Sequence, residues 1–178
     1  MRIISGKFRG KNITAPPNLP VRPTTDFAKT GLFNILNNKI DYEKVKLLDL
    51  FSGTGCISYE FNSRGCTNIL AVDVDVKCIK FINQTFGQLD AIGCETFKTD
   101  VFVFLKNCAE TFDVIFADPP FNIPLIERIP QLIAERNLLN KNGILILEHA
   151  SDRTVDFSEM TRETRKYGNV AFSFFTQL

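Results

Sequence analysis

Short apolar runs recur along this chain, and most of them end beside a carboxylate. Val45–Phe51 reads as a strand carrying Asp49, and Asn68–Val72 as a second that ends in Asp73-Val74-Asp75. Glu95–Phe97 is a short third followed by Asp100, and Asp113–Ala117 a fourth followed by Asp118. Gly143–Glu148 is a fifth, apolar enough to be buried on both faces. Between them the period changes to that of helices. One follows Gly55 to about Arg64, one covers 76–86 with Cys78, Ile79 and Ile82 inward, one runs through Phe102 to Asn107, and one spans 124–136. The chain closes with Thr161–Lys166 and Val170–Thr176 around Tyr167-Gly168-Asn169, an antiparallel hairpin.

The first forty residues have a different rhythm. Arg2–Ile4 and Lys11–Thr14 form two short strands around the glycine-bounded turn Gly6-Lys7-Phe8-Arg9-Gly10. Four prolines, Pro16, Pro17, Pro20 and Pro23, make 15–23 an extended connector. Thr24-Thr25-Asp26 then supplies N-cap side chains for a helix over about 26–38. Its apolar positions Ala28, Leu32, Ile35 and Leu36 define the buried face. Apolar strands separated by helices predict an α/β fold, a mostly parallel sheet with helices on both faces. Such a sheet binds ligands at the carboxyl ends of its strands, where Asp49, Asp73, Asp100 and Asp118 fall.

Composition narrows the class. With 178 residues, 44% apolar and 23% charged, the chain is an ordinary globular one, and no apolar run reaches the ~20 residues of a membrane span. The N-terminus lacks a signal-peptide core. The five cysteines, Cys56, Cys66, Cys78, Cys94 and Cys108, include no CxxC pair, which predicts reduced thiols, a cytoplasmic location and no structural zinc. One histidine, His149, leaves a triad or a His-based metal site without partners and is expected to be structural. Net charge is +1 but uneven: residues 1–46 carry nine Lys/Arg and three acids, and the remainder twelve and seventeen. A basic segment on a mildly acidic body points to a polyanionic partner.

Two stretches carry candidate chemistry. Asp49-Leu50-Phe51-Ser52-Gly53-Thr54-Gly55 is a glycine turn between the first strand and its helix. It lacks the Gly-Lys-Ser/Thr ending of a phosphate loop, and Ser58 stands at the third glycine position of the dinucleotide pattern, which disfavours a nicotinamide oxidoreductase. Asp73 is placed to accept ribose hydroxyls and Asp100 an adenine amino group, although an acid at a helix start is also an ordinary cap. Asp118-Pro119-Pro120-Phe121 is the second stretch. Two prolines stiffen it and leave a carboxylate, free carbonyls and an aromatic ring, groups that suit a flat substrate bearing an amino group.

The loop Asp49–Gly55, Asp73 and Asp118–Phe121 resemble the class I S-adenosylmethionine-dependent methyltransferases, whose Asp/Asn-Pro-Pro-aromatic signature marks those that methylate amino nitrogens. Arg2–Lys11, Arg22-Pro23-Thr24-Thr25-Asp26 and Leu32-Phe33-Asn34-Ile35-Leu36 are similar to the RsmD family, the bacterial 16S rRNA guanine-N2 methyltransferases, and the likeness covers essentially the whole chain. Two departures stand out. Phe27 occupies a usually basic position, and Gly31 interrupts the first helix.

The resemblance implies a Rossmann-like, mostly parallel seven-stranded sheet, a basic RNA-binding extension over 1–40 and a methyltransferase domain over 41–178. It implies S-adenosylmethionine held by Asp49, Phe51, Ser52, Gly53, Thr54, Gly55, Asp73, Val74, Asp100 and Val101. Asp118, Pro119, Pro120 and Phe121 become the catalytic loop, and Arg2, Lys7, Arg9, Lys11, Arg22, Thr24 and Lys29 the RNA contacts. The expected partner is rRNA or the assembling small ribosomal subunit, met by a monomer with no metal. A different amino acceptor (DNA adenine or cytosine, tRNA, protein glutamine) and a non-catalytic RNA-binding scaffold are the alternatives.

Overall fold

Seven strands form one sheet in the order β3-β2-β1-β4-β5-β7-β6. In the computed structural model, which describes residues 1–17, 19, 25–121, 123–124 and 126–177, they are β1 Leu47–Leu50, β2 Ile69–Asp73, β3 Cys94–Lys98, β4 Phe112–Ala117, β5 Leu139–Ala150, β6 Met160–Tyr167 and β7 Val170–Gln177. The helices are α1 Asp26–Leu36, α2 Cys56–Ser63, α3 Val76–Gln88, α4 Val101–Asn107 and α5 Arg128–Glu135. β1 to β5 are parallel, and β7 lies antiparallel between β5 and β6. The expected Rossmann-like architecture with its C-terminal hairpin is the one observed. Strand order reverses between β1 and β4, which places the ligand crevice at their carboxyl ends.

Alternation along the strands sorts the core into two layers. Leu48, Leu50, Ile115, Leu145 and Leu147 face α4 and α5, and Leu47, Val114, Phe116 and Ile146 face α1 and α2, with α3 beside them over Ala71. Boundaries differ from the sequence pattern where backbone polar groups find local partners. β1 stops at Leu50 because Phe51 takes φ 56° and turns the chain out of the sheet. α1 stops at Leu36 because the Asn38 N–H bonds the Ile35 carbonyl in a tighter turn. α5 starts only at Arg128, after a turn closed by Ile129 N–H on Ile126. The two N-terminal strands reduce to one bridge, Arg2 with Asn12, flanked by Ile3–Lys11 and Ile13–Met1 backbone bonds.

This N-terminal hairpin is fastened to α2. Glu60, fully buried, accepts from the backbone N–H groups of Ile4 (2.8 Å) and Ser5 (3.0 Å) and pairs with Arg64 at 2.8 Å. Ser63 accepts from Lys7 N–H through its carbonyl (2.7 Å) and from Phe8 N–H through its hydroxyl (3.0 Å). A Cβ on Gly6 would lie 1.8 Å from the Ser63 carbonyl oxygen, so only glycine permits the approach. α1 is capped by Thr25, whose hydroxyl accepts from Ala28 N–H at 3.2 Å, and it buries Leu32, Phe33 and Leu36 in the core shared with Leu47, Phe116 and Phe172. His149 is buried, with Nδ1 donating to the Ala150 carbonyl (2.9 Å) and Nε2 within 2.8 Å of the Ser173 hydroxyl. Among the described residues no cluster of His, Cys, Asp and Glu has the makings of a metal site, and no helix is long and apolar enough to cross a membrane.

Candidate active site

The glycine turn leaves β1 through three successive tight positions. Phe51, Gly53 and Gly55 have φ of 56°, 52° and 77°. A left-handed backbone at Phe51 is costly for a side chain and is held by what surrounds it. Ser52 N–H bonds the Val72 carbonyl at 3.0 Å, and the Gly53 N–H bonds the Asp73 carboxylate at 2.8 Å. A Cβ on Gly55 would press on the Tyr59 ring at 2.8 Å. The loop is therefore drawn flat over the ends of β1 and β2, with Ser52 and Thr54 buried.

The four acids are not equivalent. Asp49 is 2% exposed and accepts from the Ser58 hydroxyl at 2.6 Å. Burial pushes its pKa up to about 7, and the charges of Asp118 and Asp73 push the same way, while Ser58 opposes them. Asp73 spends one oxygen on Gly53 N–H and the other on Asp75 N–H (2.8 Å), so it shapes the loop, and each oxygen keeps a further acceptor position for a ligand hydroxyl. Val74 beside it is exposed. Asp100 caps α4, accepting from Val103 N–H at 3.0 Å, and Val101 is buried beneath it. Asp118 follows β4, and burial raises its carboxyl above the usual range as well. Its N–H points back to the Leu50 carbonyl at 3.4 Å, so the Asp-Pro-Pro-Phe loop and the glycine loop leave adjacent strands paired as Leu50 with Ala117.

Beyond Asp118 the loop presents its ring outward. Pro119 is buried, Pro120 is exposed and its carbonyl accepts from Ile123 N–H at 2.9 Å, and Phe121 is 55% exposed. A phenylalanine left in water just past the carboxyl end of β4 offers its ring as a stacking surface for a planar partner. Arg153, from the segment after β5, donates to the Ile123 carbonyl at 3.2 Å and pairs with Glu127 at 3.6 Å, bracing the loop from outside.

Sequence reasoning missed Ser58. It reads as a departure from a glycine pattern, yet its place one turn into α2 points its hydroxyl back at Asp49. The basic set is regrouped by the fold. Lys29 is 1% exposed, its ammonium donating to the Arg2 carbonyl at 2.6 Å, which corrects the expectation that it meets RNA phosphate. The signal was present, because Lys29 precedes Phe33 by one helical turn and so lies on the apolar stripe. Lys7 and Arg9 sit where α2 ends at Ser63, the edge of the sheet opposite to the acids. Lys7 and Lys11 lie over the Phe8 ring at 4.7 and 5.1 Å, so that ring is already covered by its own cations. Arg2 stands near the start of α1, 4.0 Å from Asp26. Arg22 and Thr24 lie outside the described residues.

The raised Asp49 pKa has a direct consequence for stability. A carboxyl whose folded pKa lies above its unfolded value near 3.9 stabilises the fold below that lower value, and the contribution is lost as pH rises through the folded pKa. Between pH 6 and 8 the ligand-free protein should lose about 1 kcal/mol from this group. Asp49→Asn should flatten the decline, measured as urea midpoint against pH. An unchanged slope would show that Asp49 does not titrate in that window.

Comparison with known proteins shows what the chain is similar to in sequence and fold. A family model described as conserved hypothetical protein 95 matches residues 1–176. The chain is 32% identical over 163 residues to "Putative rRNA methyltransferase YlbH" of Bacillus subtilis, covering 89% of this chain and 86% of that one. It is 32% identical over 160 residues to "Ribosomal RNA small subunit methyltransferase D" of Haemophilus influenzae, covering 86% and 80%. The solved structure of "Putative methyltransferase yhhF" from Escherichia coli superposes with a TM-score of 0.86 at 25% identity, covering 99% of this chain and 97% of that one.

Proposed function

The chain belongs to the conserved hypothetical protein 95 family, the RsmD family, and from that membership we propose that it methylates rRNA of the small ribosomal subunit at the N2 amino group of a guanine, with S-adenosylmethionine as donor. The observation that carries the reading is the adjacency of the two loops. The glycine turn after β1 and Asp118-Pro119-Pro120-Phe121 after β4 open side by side at the switch in strand order. Methyl transfer needs a donor and an amine held in line and within contact distance, and these loops supply one seat each.

The left-handed turn Phe51–Gly55 and the carboxylates of Asp49 and Asp73 fit the donor, whose amino group and ribose hydroxyls need acceptors and whose bulk needs a close backbone. When bound, the donor's sulfonium supplies an activated methyl group. The chain's own work is on the amine. A guanine N2 lone pair is delocalised into the ring. Asp118 accepts one of its N–H groups and the Pro119 carbonyl the other, which favours a tetrahedral nitrogen and stabilises the positive charge that grows on it. Phe121 stacks on the base, which must leave its own stack to arrive there. The proton lost from nitrogen passes to Asp118 or to water, so no histidine is needed. Arg2, near the start of α1, is the phosphate contact beside the site, Lys7, Arg9 and Lys11 reach RNA at the far edge, and Arg22 and Thr24 are RNA contacts on the family resemblance alone. The protein acts where rRNA is made and assembled, in the cytoplasm. The test is mass spectrometry of nucleosides from small-subunit rRNA with and without the active protein. N2-methylguanosine at one position is expected, and methylation of another base or of no RNA would overturn the assignment.

A further inference from the structure

A second crevice lies away from the acids, between α1 and the edge strand β6. It is a groove of about 800 Å³ lined from the helix by Phe27, Thr30 and Asn34, from the turn after it by Asn38, and from the strand by Arg165 and Tyr167. The mid-helix glycine noted in the sequence exists for it. A Cβ on Gly31 would lie 2.0 Å from the Tyr167 ring, so glycine, which costs a helix about 1 kcal/mol against alanine, is what lets that ring lie against α1. Tyr167 packs inward on Phe172 at 5.7 Å and outward, edge to face, on Phe27 at 5.9 Å. Phe27 itself is 70% exposed, in the first turn of the helix, where packing does not require it.

Resting on the rRNA reading above, we propose that this groove seats an unpaired nucleotide of the substrate RNA, flanking the methylated guanine, with its base stacked on Phe27. Position favours it. Tyr167 pairs with Val170, and Val170 with Ala150 at the carboxyl end of β5, so the ledge stands on the same edge of the sheet as Asp118. From β4 to β6 is three strand spacings, about 14 Å, a span that a few nucleotides of single strand cover. Chemistry favours it as well. The exposed Asn34 side-chain amide has no partner among the described residues, leaving donor and acceptor free for a base edge. The Thr30 hydroxyl donates to the Asp26 carbonyl (2.6 Å) and the Asn38 amide to the Asn34 carbonyl (3.1 Å), so that each keeps an oxygen as acceptor. The two acids there are neutralised: Asp26 by Arg2 and Lys29, Glu163 by Lys39 and Arg165. The apolar part, Phe27, Ile35 and Tyr167, is too broken by these groups to hold the apolar stripe of a protein helix.

The test uses the full chain with p-benzoylphenylalanine placed at position 27, irradiated with small-subunit rRNA, free and in subunits. A cross-link to a nucleotide within a few positions of the methylated guanine is expected. A cross-link to a ribosomal protein, or only to remote nucleotides, would overturn the proposal. In parallel, Phe27→Ala should raise KM for RNA roughly five- to a hundredfold, the range for a lost base stack, with kcat and donor affinity unchanged and Phe27→Trp restoring KM. Methylation by the native protein with KM unaltered in Phe27→Ala sinks the groove alone. Absence of methylation by the native protein sinks the function and the groove together.

Discussion

Replacing Asp118 by alanine is expected to slow methyl transfer on the order of 10²–10³-fold, the cost of removing one group that stabilises developing charge. Donor affinity should stay within about twofold, because the proposed seat of the donor is the loop after β1, not the loop that carries Asp118. Asp118→Asn should fall between, since it keeps an acceptor oxygen and loses the charge. The pH profile carries independent information. Burial raises the Asp118 carboxyl, so kcat/KM of the native protein should climb as pH rises towards neutrality and the carboxylate forms. The climb should vanish in the asparagine variant. Single-turnover transfer to rRNA with titration calorimetry of the donor checks both. Near-native transfer by Asp118→Ala would refute the role given to the loop.

Glu60→Ala should be the most damaging change away from the site. Glu60 is fully buried and serves two backbone donors and the Arg64 guanidinium. Removing it leaves a mostly buried cation, which itself lies over the Phe33 ring at 4.6 Å, and two backbone N–H groups without partners. A broken buried pair costs about 3–5 kcal/mol, which for a domain of this size is a fall of about 10 °C in Tm. The N-terminal hairpin should become sensitive to protease before the rest of the chain unfolds, since the Ile4 and Ser5 N–H groups lose their acceptor and, of these two residues, only the Ser5 carbonyl keeps its bond, to the Ser63 hydroxyl. Urea denaturation and limited proteolysis measure the two effects. A loss under 1 kcal/mol would mean that backbone bonds from Lys7 and Phe8 to Ser63 hold the hairpin by themselves.

What the sequence made visible follows from local physics. Period-two and period-3.6 apolar patterns placed all seven strands and five helices within a few residues, because burial of each face depends on neighbours close in sequence. Asp49, Asp73, Asp100 and Asp118 could be assigned to strand ends for the same reason. The failures have a physical cause too. Lys29 carries a charge and the resemblance makes it an RNA contact, but a charge on an apolar stripe can be buried when a carbonyl from another segment, here Arg2, receives it. Ser58 looked like a missing glycine because its partner lies nine residues back on a strand.

By itself, then, the chain determined the α/β order and the two loops, and the methyl donor followed from their resemblance to the class I methyltransferases. Each is written in residues adjacent in sequence, whose backbone freedom and side-chain charge need no partner to be read. Only the tertiary structure decided that the glycine loop and the Asp-Pro-Pro-Phe loop leave neighbouring strands, since strand order is a matter of which apolar faces find each other. It decided that the basic hairpin tip is carried by α2 to the far edge of the sheet, by hydrogen bonds from residues 4 to 8 to Glu60 and Ser63. And it turned Gly31 from a weak point of a helix into the space that a tyrosine ring occupies, a contact between residues more than a hundred positions apart.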